Sequence, residues 1–240
     1  MWTIAEYRPT CLFSLRPYTA TTSGGKSLIV PTPFAVKMAL LDVAIRVQGL
    51  ERGKALFPLI RDLQIAVRLP QWIVVNNSFT KILRLKEIKT KASEKQAAIA
   101  QARAERQWPF QKTIAFREYV QFGGPLALGF QGMSLESLMP LLLQINYLGK
   151  RGGFIQLLPP LTTASNLPDG FSTLTAGISE AFPMGTLQMV DDCGPSLTFE
   201  RANVYSDEKI RIGQDRIFHH VVMPCRPVRS SRGFTLYEQI

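Results

Sequence analysis

Apolar positions between residues 33 and 48 recur at three- and four-residue steps, Val36, Leu40, Val43, Ala44 and Val47 forming one stripe along a helix of about four turns. Thr32 stands where a hydroxyl caps free backbone amides, and Pro33 stands where no N–H is needed and φ is already helical. The pattern therefore predicts a core helix with a defined start. Upstream, residues 2–16 mix apolar and polar positions and read as a first strand, bent at Pro9, that carries the apolar segment Cys11, Leu12, Phe13 and Leu15. A Thr/Ser/Gly loop over 19–27 and a stiff Leu28-Ile29-Val30-Pro31 lead join it to the helix.

Downstream, residues 49–71 read as a connection, broken by Gly53 and Pro58, in which Leu56, Phe57, Leu59 and Ile60 suffice for a helical turn or two. Trp72-Ile73-Val74-Val75 has strand length and is extended by Phe79, Ile82, Leu83 and Leu85, and residues 113–122 return to strand character before Gly123-Gly124-Pro125. After a Gly-containing loop, Ser134 and Glu136 precede Leu138, Leu141, Leu142, Ile145 and Leu148, a second amphipathic helix in which Pro140 is tolerable near the first turn. Gly149-Lys150-Arg151-Gly152-Gly153 follows, then a short strand over 154–158 stopped by Pro159 and Pro160. Strand, helix, strand, strand, helix, strand is the order of a ferredoxin-like (RRM-like) βαββαβ core, an α+β fold. Residues 161–240 hold short apolar runs between Gly and Pro and read as a smaller β-rich region, which divides the chain into 1–160 and 161–240.

Charge changes this picture. The 240 residues are 46% hydrophobic and 19% charged, enough to bury a core, and carry a net charge of +10 with a pI near 9.8, in the range of nucleic-acid-binding domains. Basic chains also bind membranes or acidic partners, so the location of the charge matters more than its sum. Residues 81–112 hold nine basic side chains against three acidic ones. Within them Ser93-Glu94-Lys95-Gln96 has the form of a capping box, and an Ala-rich run to Gln107 is helix-prone until Pro109. Its apolar face is little more than alanines and Ile99, so the segment is expected to project as a basic arm that orders against RNA or a protein partner. No apolar run has bilayer-spanning length, and MWTIAEYR carries charge too early for a signal peptide, so a cytoplasmic protein without membrane contact is expected. Cys11, Cys193 and Cys225 are odd in number and widely spaced, which indicates neither a disulfide framework nor a zinc site; no cofactor or metal is expected.

The stretch SLRPYTATTSGGKSLIVPTPFAVKMALLDVAI resembles the N-terminal signature of the CRISPR-associated RAMP proteins, specifically the Cascade subunit (Cas-five type) that binds the 5′ handle of crRNA. YLGKRGGF after the second helix matches the Gly-rich basic loop of that family, and the arm stands where the family has a thumb, inserted at about 81–112. The resemblance covers roughly residues 1–158 and departs from the pattern at Met38, where a glycine often follows the basic residue of the first helix. It implies a non-catalytic RNA-binding subunit of a class 1, type I-like, effector complex. The implied partners are crRNA, the adjacent Cascade backbone and large subunits and, through the complex, target DNA.

The candidate handle contacts are Lys26, Lys37, Gly149, Lys150, Arg151, Gly152 and Gly153, with Arg16 and Tyr18 from the first loop. For the arm they are Lys81, Arg84, Lys86, Lys89, Arg103 and Arg106, with Trp108 and Phe110 at its base to stack on bases or pack beneath it. Glycines let backbone N–H groups approach phosphates while Lys150 and Arg151 supply charge. The ordinary alternatives are a helix C-cap followed by a turn, and a solvated charged protrusion. Residues 20–27, ATTSGGKS, satisfy a permissive P-loop pattern, with LQMVDD over 187–192 as a Walker B strand. A P-loop feeds directly into a helix, however, and Pro31 and Pro33 delay the helix here, which disfavours an NTPase. A RAMP-type ribonuclease acting on the crRNA precursor is the main alternative. His219 and His220 are its only histidines, and as strand neighbours at most one faces a given site.

Overall fold

Strand β1 (Trp2–Pro9) stops at its proline, and the chain then runs through isolated bridges at Phe13 and Leu15 to a helix that opens where the sequence places it. In the computed structural model, which describes residues 1–18, 20, 25–85, 89–106, 110–176 and 184–240, helix α1 spans Pro33–Gln48. Thr32 Oγ1 accepts a hydrogen bond from the Ala35 amide at 3.2 Å. Val36, Leu40, Val43 and Ala44 are buried, while Val47 at the end of the stripe is half exposed.

The elements that follow are α2 (Leu50–Arg61), β2 (Gln64–Arg68), β3 (Trp72–Leu85), α3 (Lys95–Ala104), β4 (Phe110–Phe122), β5 (Leu126–Gln131), α4 (Leu135–Leu142) and β6 (Ile155–Ala164). The remainder of the chain forms β7 (Ser172–Thr173), β8 (Thr186–Cys193), the short α5 (Phe199–Ala202), β9 (Arg216–Met223), β10 (Cys225–Ser230) and β11 (Phe234–Gln239). One sheet has the order β6-β1-β5-β2-β7, a second β10-β11-β3-β4, and β8 pairs with β9. Every pairing between named strands is antiparallel. The fold is therefore mixed, with helices packed on antiparallel sheets.

The two middle strands are not the ones the sequence pattern selects. β3 and β4 are strands as expected, but they belong to the second sheet; the first sheet uses β2, expected to be part of a connection, and β5, expected to be a loop. Leu126, Ala127, Leu128 and Phe130 are all buried, because helices cover one face of the sheet and Leu167 and Phe171 pack on the other. A strand covered on both faces loses the alternation by which strands are recognised. α2 is likewise a full helix, with Gly53, Leu56, Phe57 and Ile60 buried at helical spacing. Gly53 lies where α2 meets α1, since a Cβ there would come within 2.5 Å of Ile45 Cγ1. Pro58 is exposed on the outer side, where water can reach the carbonyl it leaves unbonded.

α4 is shorter than the pattern predicts. Ser134 caps it through the Ser137 amide, but it ends at Leu142, and Ile145 and Leu148 are buried from the loop beyond. In the arm, α3 buries no side chain, and Glu94 precedes it without a side-chain cap bond, so the expected capping box is not formed. Gln107, Trp108 and Pro109, the expected end of that helix, lie outside the described residues.

The strands after residue 160 spread over all three sheets: β7 pairs with β2, β11 with β3, and β8 with β9. The turn leading into β9 is pinned by Asp215, which is fully buried. It accepts from Arg211 Nε and the Arg211 amide at 2.9 and 2.8 Å, from Ser196 Oγ at 2.9 Å and from Arg201 Nη1 at 3.2 Å. The Arg211 guanidinium, with these other donors, holds the Asp215 carboxyl well below the usual aspartate range despite burial. A depressed carboxyl pKa gives stability that is complete above the ordinary aspartate range and lost as pH falls below it. Urea midpoints measured down the acid limb should fall steeply for the wild type and less steeply for Asp215→Asn; parallel limbs would show that this network does not set acid stability.

Candidate nucleic-acid interface

An open cleft of about 350 Å³ lies between the N-terminus of α1, β4, the Gly-rich loop and the β8–β9 pair. Arg16 from the first loop, Arg117 from β4, Lys150 from the Gly-rich loop and Arg216 from β9 line it, together with Phe34, Tyr147, Gly149 and the single carboxylate Asp191. Four cations against one acid make an anion-attracting recess. Each arrives by a different route. Arg117 is outward because Glu118 and Val120, its neighbours in the strand alternation, are buried. Arg216 follows the pinned Asp215 directly.

The Gly-rich loop is held as a tight reversal. Leu148 N–H bonds the Gly153 carbonyl and Gly153 N–H bonds the Lys150 carbonyl, each at 3.1 Å, while Tyr147 bridges Phe154. Gly149 and Gly152 have φ of +75° and +106°, a region that side-chain-bearing residues rarely adopt. The Phe154 amide donates to Cys11 Sγ at 3.0 Å, tying the loop to the segment after β1. This reversal leaves Lys150 and Arg151 exposed, with Lys150 Nζ 5.8 Å from the centre of the Tyr119 ring.

Arg216 is the most constrained of the cations. Its Nε donates to Asp191 Oδ2 at 2.6 Å and its Nη2 pairs with the same oxygen. Its guanidinium carbon lies 4.3 Å from the Phe34 ring centre and 5.6 Å from that of Tyr18, and Tyr18 in turn contacts Phe218 at 5.1 Å between centroids. The result is a cation–aromatic cluster whose outer member, Tyr18, is half exposed.

Of the residues the sequence singles out, Arg16, Gly149 and Lys150 meet in the cleft; Tyr18 flanks it; Arg151, Gly152 and Gly153 complete the loop. Arg16 also donates to the Ala20 carbonyl. Lys26 is largely exposed but pairs with the buried Glu118 at 2.8 Å, which raises its pKa through that hydrogen bond and charge. Lys37 does not belong to the interface. It is 2% exposed, with Nζ 2.6 Å from Asp192 Oδ1 and 2.7 Å from the Arg61 carbonyl, so it cannot touch a phosphate without leaving the core.

The arm is a two-stranded ribbon in which β3 and β4 stay in register from Ile73↔Phe122 to Leu85↔Phe110. Lys81, Arg84 and Lys89 are exposed on or beyond it, and Arg103 and Arg106 are exposed at α3. Lys86 and Trp108 lie outside the described residues. Phe79, Leu83, Ile114 and Phe110 are exposed along one face of the ribbon. At about 3.3 Å per residue, Lys81 stands some 20 Å from Val75 at the ribbon's base.

Arg117 and Arg216 are absent from the sequence-based candidates, and Asp191 enters there only within the LQMVDD run weighed for a different chemistry. Arg117 sits in the middle of an ordinary strand, Arg216 opens β9, and Asp191 lies within β8, two residues before its end. The rejected chemistry has structural counterparts. After Ser27, whose amide donates to Glu118 Oε2 at 2.8 Å, the chain does not become helical until Pro33; residues 21–24 of the P-loop pattern lie outside the described residues. LQMVDD does lie in a strand, but Asp191 and Asp192 are ion-paired to Arg216 and Lys37. His219 Nε2 approaches Asp192 Oδ2 at 3.7 Å, His220 is exposed, and neither lines the cleft. Among the described residues no group of acids, histidines or cysteines could hold a metal, and no helix is long and apolar enough to cross a membrane.

No family model matches the chain. Over 111 residues, 46% of the chain, it is 30% identical to the CRISPR-associated protein Cas5 of Archaeoglobus fulgidus. This chain resembles a CRISPR-associated RAMP protein of the Cas5 type. The match spans 42% of the length of that Cas5 relative. Among solved structures, a CRISPR protein from Archaeoglobus fulgidus aligns over all of the chain and 92% of its own at a TM-score of 0.44 and 11% identity. A chain of the type III-B Cmr-beta complex bound to cognate target RNA and AMPPnP aligns over 98% of this chain and 86% of its own, at 0.39 and 8%.

Proposed function

We propose that this Cas5-like chain is a non-catalytic, RNA-binding subunit of a type I-like CRISPR effector complex that caps the 5′ handle of crRNA and docks on the adjacent backbone subunit. One observation carries the reading: Arg16, Arg117 and Lys150, from three separate segments, converge on a single cleft floored by the Gly-rich loop. A recess lined by cations and aromatic rings suits the phosphates and unstacked bases of single-stranded RNA.

The strand order β6-β1-β5-β2 supports a ferredoxin-like core in which β1, β2, β5 and β6 are the four strands and α1–α2 and α4 the two crossovers. The ribbon of β3 and β4 with α3 is then the thumb, its basic part at about 81–112 inserted between the second and third core strands. Residues 1–160 form the RAMP domain in this reading, and 161–240 lend it Asp191 and Arg216. The exposed apolar face and the cations of the thumb favour contact with RNA and with the neighbouring subunit together. Large-subunit and target-DNA contacts follow from membership in such a complex, acting in the cytoplasm.

The decisive test is to co-express the chain with its genomic neighbours and a CRISPR array and to sequence RNA retained after a high-salt wash. A short species with one repeat-derived 5′ end is the expected product; random fragments or none would defeat the proposal. Lys150→Ala with Arg151→Ala should lower affinity for that RNA and reduce the salt slope of log K by roughly 0.7 for each phosphate no longer neutralised. Unchanged affinity and slope would remove the loop from the interface. Precursor RNA should emerge uncut; cleavage abolished by His219→Ala with His220→Ala would instead favour a ribonuclease.

A further inference from the structure

Arg216 differs from the other cleft cations in how it is held. Arg16, Lys150 and Arg151 are exposed, as suits groups that follow a backbone, whereas the Arg216 side chain is 28% exposed, braced by Asp191 and fixed against Phe34 and Tyr18. Asp191 itself is only 8% exposed and takes Nε and Nη2 on one oxygen, Oδ2. Among the described residues Nη1 has no acceptor, so one edge of a fixed, planar fork remains for a ligand. A nonspecific phosphate contact does not require such bracing. A guanidinium whose plane and position are both set can distinguish one acceptor pattern from another.

We propose that Arg216 is a base-reading residue: the cleft admits one unpaired nucleotide of the bound RNA, and the open edge of the guanidinium takes the O6 and N7 acceptors of a guanine. The proposal rests on the RNA-binding reading above and adds specificity to it. Guanine is the base that presents two adjacent acceptors on that edge, while adenine places a donor at N6 beside N7. Phe34 and Tyr18 border the guanidinium, so an incoming base finds aromatic surface beside its hydrogen-bond partner. The recess of about 350 Å³ is of a size for one nucleoside rather than a stacked run. Arg16, Arg117 and Lys150 at its margin are left to hold the flanking phosphates. Asp191 is a positioning residue, orienting the fork without touching the base.

The probes are fluorescein-labelled eight-nucleotide RNAs, all uridine or with one guanosine placed at each position in turn, titrated against the full chain at fixed salt. One or more guanosine-containing RNAs should bind about tenfold or more tighter than the all-uridine RNA, the discrimination typical of a good bidentate pair. Inosine, which keeps O6 and N7, should match guanosine; 7-deazaguanosine and adenosine should fall back to uridine. These arms use the wild-type protein, so they do not depend on a variant that folds. Arg216→Gln, checked by circular dichroism, should abolish the guanosine preference, so that guanosine-containing RNAs bind no more tightly than the all-uridine RNA. Equal affinity for all RNAs with an ordinary salt slope overturns base reading but leaves the RNA-binding role standing. A uniform loss in Arg216→Gln would reassign the residue to phosphate and overturn it likewise. Absence of RNA binding altogether defeats both readings.

Discussion

Replacing Lys37 with alanine should destabilise the protein by about 3–5 kcal/mol, the cost typical of removing one partner from a buried ion pair. The ammonium and Asp192 are both almost fully buried, and Lys37 also donates to the Arg61 carbonyl at the end of α2. Asp192 in turn accepts from its neighbouring Cys193 amide at 2.7 Å and faces His219. Alanine at 37 would leave a carboxylate without its counter-charge and a carbonyl without its donor, in a place that water does not reach. The pair joins α1, α2 and β8, so the loss should appear as global unfolding at lower denaturant. Lys37→Met combined with Asp192→Leu should recover part of the stability, because it removes both charges and keeps the site filled, while the Arg61 carbonyl and the Cys193 amide still lack their partners. A cost under 1 kcal/mol for Lys37→Ala would show that the pair is open to solvent. The folded double variant should also keep the wild-type salt slope for RNA, which a phosphate-binding Lys37 would not allow.

Lys37 shows how much a sequence pattern can hold without being read correctly. It stands three, four and seven residues before Leu40, Leu41 and Ala44, on the buried side of α1, yet a lysine beside a helix start suggests a surface cation. What decides its fate is Asp192, 155 positions later, and no local pattern encodes that pairing. α1 itself is legible because its start is chemical: a capping hydroxyl and a proline act within four residues. The same holds for the Gly-rich loop, where positive φ at Gly149 and Gly152 calls for glycine. β2 and β5 are illegible for the opposite reason, being central strands with both faces covered, while β3 and β4 pass for core strands because a ribbon that outruns its sheet still looks like a strand. The cleft is half legible. Arg16 and Lys150 sit in segments with family character, but Arg117, Asp191 and Arg216 are brought in by strand pairing and by the Asp215 turn, which appear only once the chain is folded.

The second large effect tests the cleft as a unit. With Arg16→Ala, Arg117→Ala and Lys150→Ala combined, the slope of log K against log salt for single-stranded RNA should become shallower by about 2, roughly 0.7 for each phosphate neutralised. Because this contribution grows as salt falls, affinity should drop by about two to three orders of magnitude at 50 mM salt, and the deficit should shrink toward 1 M. All three side chains lie at the surface of the recess and none belongs to the buried ion pairs, so thermal stability should change little. Removing Lys81, Arg84 and Lys89 from the β3–β4 ribbon and its tip is the matched control, with equal charge removed some 20 Å along the ribbon from its base. If proximity to the cleft organises RNA binding, the ribbon variant should lose less affinity for an eight-nucleotide RNA, which is short enough to be held by the cleft alone. Its deficit should widen on longer RNA that can reach along the ribbon. Equal losses on the short RNA would mean that the chain attracts RNA by net charge alone, and the convergence of cations on the cleft would then have no functional weight.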